Sequence, residues 1–209
     1  MTHVQPNRRF TYRFIKRTAD IVFSLFGLIA LSPLFVLIAV AVASEREGGV
    51  IFHQARAGWK NQPFMMYKFR TMVKNAAALR DEMEQFNDLD GPAFKMKNDP
   101  RITKMGRFLR RTSLDELPQL YNVLKGDMSL VGPRPLPTYE SEKCNEDQLQ
   151  RLLVKPGITC YWQACGRNDM SFDEWMSLDL RYIREQSLST DAVILLQTVK
   201  AVLSGRGAY

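Results

Sequence analysis

The longest hydrophobic stretch of the chain covers residues 21–43 and contains no charged side chain. As a straight helix, about 23 residues measure roughly 34 Å, which is enough to cross the hydrocarbon core of a bilayer. Ser32-Pro33 interrupts the stretch near its middle, and proline removes a helical hydrogen bond and kinks a helix. The pattern therefore predicts a membrane-associated helix with a break at Ser32 and Pro33.

Two topologies fit this broken helix. A kinked single span is the default, because proline is common in membrane helices. A span would export either the basic segment of residues 1–19 or the arginine-rich remainder of the chain, and a helix that re-enters the same face avoids both. Lys16 and Arg17 precede the stretch and are predicted to contact lipid phosphate, or they simply flank it as positive charges on the inner side. Asp20 could pair with either.

Segments 50–54 and 63–71 are rich in β-branched, aromatic and methionine residues and predict a β-hairpin, with turn formers at residues 58–62. Arg56 precedes the turn, and Lys68 and Arg70 follow it. Since Lys68 and Arg70 are two residues apart, they are expected on one face of the strand. A solvated strand face explains these three cations as well as a binding surface does.

Helical periodicity and capping signals predict several further helices, so the fold class is α/β and mainly helical. Residues 87–99 are rich in Asp, Asn, Gly and Pro and predict a loop, which could cover a site. Ser171 and Glu174 form a capping-box pattern. The last two helices either lie in the membrane interface or pack on the soluble domain. The predicted helices are 75–85, Asp99-Pro100 to near Arg111, 139–153, 171–185 and 191–203.

The chain has 29 basic and 22 acidic residues, which gives a net charge of +7. This charge suits anionic lipid or phosphorylated substrates, while nucleic acid is disfavoured because no known reader motif is present. His53 is the single histidine outside the N-terminal tail, so acid–base and metal chemistry falls to carboxylates. The three cysteines lack paired spacing, which argues against a zinc site or disulfides and fits a reducing compartment.

Candidate chemistry is concentrated in residues 109–135, where Asp115-Glu116 directly follows a basic helix. Apolar residues then recur at helical spacing, and Ser113 with Glu116 resembles a capping box, so a helix is expected to begin at Leu114 or Asp115. Pro118 would lie in its first turn. A helix N-terminus favours bound anions such as phosphate. The alternative is that the two acids only cap this helix.

The surrounding cations favour a functional site. Arg110 and Arg111 precede the acidic pair, and Arg134 follows it in a stiff Gly132-Pro133-Arg134-Pro135 turn. Arginine binds phosphate oxygens through a planar fork, and cations keep neighbouring carboxylates ionised.

Two motifs, Ser113-Leu114-Asp115-Glu116-Leu117-Pro118-Gln119 and Val131-Gly132-Pro133-Arg134-Pro135, resemble the bacterial sugar transferases. These are monotopic polyprenyl-phosphate phosphoglycosyl transferases, and the resemblance runs from about Arg13 to the C-terminus. It implies transfer of a sugar 1-phosphate from a UDP-sugar to polyprenyl (undecaprenyl) phosphate at the cytoplasmic face of the bacterial inner membrane. It also implies a re-entrant helix broken at Ser-Pro, which reverses the default topology.

The resemblance also assigns roles to individual residues. Asp115 would be the nucleophile and Glu116 its assistant, and both would bind a required Mg²⁺ together with substrate. Glu116 could be a metal ligand or a proton acceptor. The expected phosphate- and diphosphate-binding residues are Arg134, Arg110 or Arg111, Arg56, Lys68 and Arg70.

Several other segments match or depart from the family pattern. Residues 155–159 and Gly166-Arg167-Asn168 resemble family turns, whereas Cys160 stands where relatives usually have Gly. The C-terminal part, with Gly205-Arg206-Gly207-Ala208-Tyr209, resembles the hexose 1-phosphate transferases more than those for diacetamido sugars, without separating glucose from galactose. Residues 1–45 are expected to form a basic tail and re-entrant helix, and residues 46–209 a cytoplasmic catalytic domain that corresponds to the catalytic unit of longer relatives.

Two other functions remain as alternatives. A non-catalytic membrane-surface module would bind acidic lipids through its basic residues, but it does not explain an Asp-Glu pair within the basic cluster. A lipid phosphatase would release free phosphate, where the transferase releases UMP. The expected partners of the transferase are a UDP-sugar, polyprenyl phosphate and membrane lipids, with a homo-oligomer left open.

Overall fold

A computed structural model describes residues 3–87, 91–94, 96, 98–165 and 170–204. The described chain is mainly helical with two small sheets, in agreement with the predicted α/β class. The helices are α1 (Phe10–Ala30), α2 (Ser32–Ser44), α3 (Arg80–Met83), α4 (Lys104–Thr112), α5 (Gln119–Lys125), α6 (Thr138–Ser141), α7 (Glu146–Leu149), α8 (Tyr161–Cys165), α9 (Phe172–Arg184) and α10 (Leu188–Ser204). The strands are β1 (Ile51–Ala57), β2 (Pro63–Phe69), β3 (Ser129–Val131) and β4 (Gly157–Thr159).

The break in the N-terminal helix is confirmed. Helices α1 and α2 meet at Leu31 with a bend of 61°. Pro33 lies in the first turn of α2, where its missing N–H costs no helical hydrogen bond, and the Ser32 hydroxyl donates to the Ile29 carbonyl at 2.8 Å. Taken singly, the described helices all fall short of a membrane span, whereas this bent pair has the required combined length and composition.

The predicted hairpin is also confirmed. Strands β1 and β2 pair antiparallel, with Gln54 opposite Met66 and Arg56 opposite Phe64. Asn122 of α5 fixes the hairpin, since its side chain accepts from the Tyr67 N–H at 3.0 Å and donates to the Met65 carbonyl at 2.7 Å. This contact holds the second strand beside the segment that precedes α5.

A second sheet was not expected from the sequence. Strands β3 and β4 form a short parallel pair, with Ser129 opposite Gly157 and Val131 opposite Thr159. Each has three residues, which is too short to show a strand pattern. A Cβ on Gly157 would lie 2.1 Å from the Gly132 nitrogen, so only glycine allows the two backbones to approach this closely.

Helix α9 lies in the core and follows its predicted bounds. The Ser171–Glu174 capping box is confirmed, and Trp175, Tyr182 and Ile183 are buried. Helix α10 buries Asp191 and Ile194 against the same core but leaves an apolar outer face exposed. The residues of that exposed face are Val193, Leu196, Val199 and Leu203.

Two predicted helices are broken in the structure. Residues 139–153 were expected to form one helix, but Asn145 starts a new one by capping the Gln148 N–H at 2.9 Å. The result is two single-turn helices, α6 and α7, followed by a 3₁₀ turn at Gln150–Leu153. In residues 75–85, where one helix was expected, turns precede α3, which has only four residues. A helix as short as the predicted one is marginal without tertiary packing.

The start of α4 was also placed wrongly, at Asp99-Pro100. The Asp99 carboxylate instead binds Arg101, and the helix begins later, capped by the Thr103 hydroxyl on the Gly106 N–H at 2.9 Å. Asp88 and Asp90 of the expected loop lie outside the described residues. The Gly166-Arg167-Asn168 turn and the C-terminal segment 205–209 also lie outside them.

Candidate active site

Asp115 and Glu116 lie in a 3₁₀ turn, Leu114–Glu116, between α4 and α5. The prediction of a helix starting here is therefore wrong, because α5 begins at Gln119. Ser113 is not the expected N-cap: it ends α4 in the left-handed conformation, with φ of 58°. After this left-handed residue, the turn that carries the two acids lies beside the β-hairpin, where Glu116 contacts Lys68 of β2.

Glu116 is the centre of a buried charge cluster. Its Oε1 accepts from Lys68 Nζ at 2.9 Å and from Arg134 Nη2 at 2.7 Å, and its Oε2 accepts from Gln163 Nε2 at 3.3 Å. Burial alone would raise the pKa of Glu116, but Arg134 and Lys68 together outweigh burial and hold this pKa well below its usual range. Glu116 is therefore an ionised anchor for two cations.

Asp115 differs from its neighbour. It is buried, with 6% of its surface exposed, and among the described residues no group donates a hydrogen bond to its carboxylate. Burial raises the pKa of Asp115, the adjacent Glu116 charge adds to this effect, and Lys68 and Arg110 oppose it. A desolvated carboxylate near cations but without hydrogen bonds is a reactive oxygen nucleophile once it is ionised.

Arg110 and Arg56 extend the basic lining. Arg110 Nε donates to the Thr71 hydroxyl at 3.0 Å, and its charge acts on Asp115. Arg56 donates to the Pro135 carbonyl at 3.0 Å and to Gln54 at 2.8 Å. Burial, and then the repulsion of Arg134, lower the pKa of Arg56 to about 10. The two arginines thus flank the acidic pair from α4 and from the hairpin.

Two predicted phosphate-binding residues lie apart from this cluster. Arg70 follows the end of β2, and its Nε donates to the Gly49 carbonyl at 2.6 Å at the open end of the hairpin. Arg111 is exposed on α4. Lys68 and Arg70 therefore do not share one binding surface, because the strand ends between them.

Lys16 and Arg17 both contact the folded domain. Arg17 donates to the Val123 and Leu124 carbonyls at 2.7 and 2.8 Å, at the C-terminal end of α5. Lys16 pairs with Asp191 at 2.8 Å, so neither forms the expected ion pair with Asp20. Asp20 instead accepts from the Ser129 hydroxyl and the Leu130 N–H. A contact of Lys16 or Arg17 with lipid phosphate stays a prediction.

Sequence reasoning missed Gln163 and Trp162 of α8. Gln163 orients the second oxygen of Glu116, and the Arg134 guanidinium lies 5.9 Å from the Trp162 ring centroid. A sequence separation of 47 residues from Glu116 leaves no local pattern that could have revealed Gln163. The one available signal was that Gln163 lies three positions after Cys160, where relatives usually have Gly. Cys144, Cys160 and Cys165 are free in the structure.

The donor atoms fit a magnesium ion that is shared with substrate. In the part of the chain that the structure describes, no group of three or more metal-ligating side chains occurs. Mg²⁺ commonly takes one or two carboxylates and completes its shell with phosphate oxygens and water. The Asp115 carboxylate and Glu116 Oε2 are the oxygens suited to that role, because Glu116 Oε1 is already taken by two cations.

Comparison with known proteins identifies the class to which this fold and site belong. The family model for bacterial sugar transferases matches residues 11–205. A galactosyl transferase, CpsE, of Streptococcus agalactiae is 45% identical over the whole chain, which covers 46% of that protein. An undecaprenyl-phosphate galactose phosphotransferase of Salmonella typhimurium is 48% identical over 94% of the chain and 42% of its own length. The exopolysaccharide production protein ExoY of Sinorhizobium fredii is 39% identical over 93% of the chain and 88% of its own length.

The chain therefore belongs to the bacterial sugar transferase family. It spans less than half the length of the first two relatives and most of the third. The family resemblance seen in the Asp115-Glu116 and Arg134 motifs is confirmed.

Proposed function

We propose that this protein transfers a hexose 1-phosphate from a UDP-hexose to polyprenyl phosphate and releases UMP, as a first membrane step of polysaccharide assembly. The observation that carries the proposal is the buried Asp115 carboxylate, which accepts no hydrogen bond from the described residues, beside the Glu116–Lys68–Arg134 cluster. The names of two relatives point to galactose, so UDP-galactose is the first donor to test. UDP-glucose is the second.

In the first step, an Asp115 oxygen attacks the sugar-bearing phosphorus of the UDP-hexose. A bond forms between carboxylate oxygen and phosphorus, and the bond to the bridging oxygen breaks, so that UMP leaves with the electron pair. The sugar phosphate is then held as an acyl phosphate on Asp115. In the second step, a phosphate oxygen of the polyprenyl carrier attacks the same phosphorus and displaces the carboxylate. Asp115 is regenerated and a new diphosphate results.

The surrounding cations suit a diphosphate substrate. Arg134 offers guanidinium nitrogens to phosphate oxygens, Lys68 contributes an amine that is ion-paired with Glu116, and the charge of Arg110 acts on Asp115. The Lys68 and Arg134 side chains are only 15% and 24% exposed. A protein that merely adheres to acidic lipid would carry its charges at the surface, so this burial favours catalysis.

Glu116 acts best as an anchor or metal ligand. Its depressed pKa makes it a weak proton acceptor at neutral pH, because a general base works best with a pKa near the operating pH. When bound to Asp115, Glu116 and the diphosphate, Mg²⁺ would neutralise charge as UMP departs. Chelation by EDTA should abolish UMP release and added Mg²⁺ should restore it, while full activity in EDTA would remove the metal from the proposal.

The location proposed is the cytoplasmic face of the bacterial inner membrane, with α1 and α2 entering and leaving that face. The 61° bend and the apolar outer faces of both helices support this arrangement. Single cysteines at Arg8 and Ser204, in a background without native cysteines, should be equally protected from an impermeant thiol reagent in intact cells. Labelling at one position alone would mean that the pair spans the membrane.

The decisive test of the reaction uses purified protein, Mg²⁺, polyprenyl phosphate and a panel of UDP-sugars. UMP release with UDP-galactose or UDP-glucose is expected, together with a lipid-linked sugar diphosphate. Release of inorganic phosphate from the lipid would instead indicate a phosphatase. No reaction with any donor would overturn the proposal.

A further inference from the structure

Helix α1 has an unusual buried face, because the side chains that contact the domain are polar. Tyr12, Asp20 and Ser24 are its buried residues, at 6%, 4% and 0% exposure. The large apolar side chains of α1 are instead exposed, including Phe14, Phe23 and Phe26. Residues four apart share one side of a helix, and the polar face consists of Tyr12, Lys16, Asp20 and Ser24.

The polar face ends in a cluster around Asp191 of α10. Lys16 Nζ lies 2.8 Å from Asp191 Oδ2, and the Tyr12 hydroxyl donates to the same oxygen at 3.2 Å. The Tyr182 hydroxyl of α9 lies 2.8 Å from Asp191 Oδ1. Asp191 is 8% exposed, so three donors from α1 and α9 satisfy a buried carboxylate. We call Asp191, Lys16, Tyr12 and Tyr182 the Asp191 cluster.

This cluster also holds the backbone that carries Arg134. Lys16 Nζ donates to the Val131 carbonyl at 3.1 Å, and the Tyr182 hydroxyl, 3.0 Å from the same oxygen, shares its single proton between this carbonyl and Asp191 Oδ1. Val131 is the last residue of β3, three positions before Arg134. At the other end of the strand, Asp20 accepts from the Ser129 hydroxyl at 3.1 Å and from the Leu130 N–H at 3.0 Å. Both ends of β3 are thus fixed by α1.

The far side of the Arg134 turn is braced independently. The Gly157 N–H donates to the Pro133 carbonyl at 3.0 Å, and Arg151 donates to the Arg134 carbonyl. With β3 fixed by α1 and the turn braced from behind, the Arg134 guanidinium is directed at Glu116. A displacement of about 1 Å at a substrate-binding group can cost roughly a hundredfold in rate, so this support has catalytic consequences.

We propose that Asp191, Lys16 and Tyr182 are positioning residues for the transfer reaction, which seat the membrane helix α1 and thereby fix Arg134 against Glu116. This inference rests on the proposed function, because it gives α1 a role in the chemistry of the same site. The enzyme is then fully active only when α1 lies on the domain. The alternative is that the cluster only provides hydrogen-bond partners for the buried polar atoms of α1 and has no effect on the transfer reaction.

The test compares Asp191→Asn and Tyr182→Phe with Tyr161→Phe as a matched control. Tyr161→Phe also removes one hydroxyl, but that hydroxyl binds the exposed Glu185, and the Tyr161 ring stays next to Tyr182. For UMP release, kcat/KM should fall about tenfold to a hundredfold in Asp191→Asn and less in Tyr182→Phe. Asp191→Glu should recover part of the loss because it keeps the charge, and the control should match the wild type.

A double-mutant cycle separates positioning from general stability. In an Arg134→Ala background, Asp191→Asn should change kcat/KM by no more than about twofold, because the group that it positions is gone. An equal loss in both backgrounds would overturn the inference. Tyr182→Phe keeps the test decisive if Asp191→Asn fails to fold.

An activity-independent measurement distinguishes failure of this inference from failure of the proposed function. Hydrogen exchange of a peptide covering residues 128–136 should speed up in Asp191→Asn and in Tyr182→Phe, but not in Tyr161→Phe. If the wild type releases no UMP from any UDP-sugar, the proposed function fails, and this exchange pattern still decides whether the cluster holds the Arg134 segment. Unchanged exchange there would overturn the link.

Discussion

The Asp191 cluster and the Asp115-Glu116 cluster both hold acidic and basic side chains that are largely buried, and they differ in how completely the carboxylates are hydrogen-bonded. In the Asp191 cluster, both carboxylate oxygens accept from lysine or tyrosine donors. In the Asp115-Glu116 cluster, Glu116 receives Lys68, Arg134 and Gln163, while Asp115 has neighbouring cations but no hydrogen-bond donor among the described residues. Both clusters bury charge, yet one carboxylate keeps its lone pairs available.

This difference separates structural from chemical roles. Removing the charge of a fully hydrogen-bonded buried carboxylate leaves its partners unsatisfied and therefore destabilises the folded state. A desolvated carboxylate without donors costs stability, and such a cost persists where function requires it. The comparison therefore assigns stability to Asp191 and reactivity to Asp115, and each assignment can be tested.

The largest effect is expected from Asp115→Asn. The amide keeps the shape of the side chain but cannot form an acyl phosphate, so turnover should be abolished. Wild-type protein given labelled UDP-hexose without polyprenyl phosphate should retain sugar phosphate on the protein, in a hydroxylamine-labile form, and release UMP. Sugar transfer by Asp115→Asn at a rate near that of the wild type would rule out the covalent mechanism.

The next effect concerns Arg134, which links both clusters. Arg134→Ala should reduce kcat/KM by about a hundredfold or more, since a charge-assisted contact to phosphate and the partner of Glu116 are both lost. Arg134→Lys should recover only part of this loss, because lysine keeps the charge without the planar fork. Full recovery by lysine would mean that charge alone matters at this position.

A smaller effect is expected on the pH dependence of the first step. Asp115 must be ionised to attack, and because its pKa is raised, activity should be lost as the pH falls through a value above that of an ordinary aspartate. The positive charge of Lys68 opposes this rise in the pKa of Asp115 more than any other neighbouring charge does, so Lys68→Met should move the acidic limb to higher pH. Glu116 stays ionised throughout this range and does not contribute to the limb.

The control for that prediction is Lys125→Met. Lys125 pairs with Asp127 at 3.2 Å on the surface, so its loss removes one positive charge from the protein without touching the site. Measured as log kcat/KM for UMP release against pH, the control should keep the wild-type profile. An equal shift in both variants would trace the effect to net charge.

Much of this organisation could be predicted from the sequence. The helix break at Ser32-Pro33, the β-hairpin, the Ser171–Glu174 cap and the last helix depend on local signals, and the structure confirms them. The family motifs also marked Asp115, Glu116 and Arg134 as one constellation, and the structure brings Glu116 and Arg134 within 2.7 Å.

The parts that could not be predicted depend on long-range contacts. The turn at Ser113 replaces the expected helix start because α4 ends in a left-handed residue there, and serine gives no signal for that conformation. The parallel pairing of β3 with β4 joins segments about 28 residues apart, and each is too short to recognise. Lys16 and Asp191 are 175 residues apart in the sequence. Asp20 was predicted as a partner of Lys16 or Arg17 because it is close in the sequence, and sequence proximity does not reveal a contact of this range.

The smallest effect, and the most direct test of the comparison, is on stability. Asp191→Asn breaks a buried ion pair from one side, which typically costs about 3 kcal/mol or more. For a chain of this size, that corresponds to a fall in Tm of roughly 6–12 °C.

Asp115→Asn should instead leave Tm unchanged or raise it. Burial raises the folded-state pKa of Asp115 above its unfolded value, so the ionised form of Asp115 destabilises the fold at neutral pH. A neutral amide removes that penalty. Thermal unfolding of both variants in the same detergent and at the same pH measures the contrast. Equal falls in Tm would mean that Asp115 also stabilises the fold, and the division of roles between the two clusters would be lost.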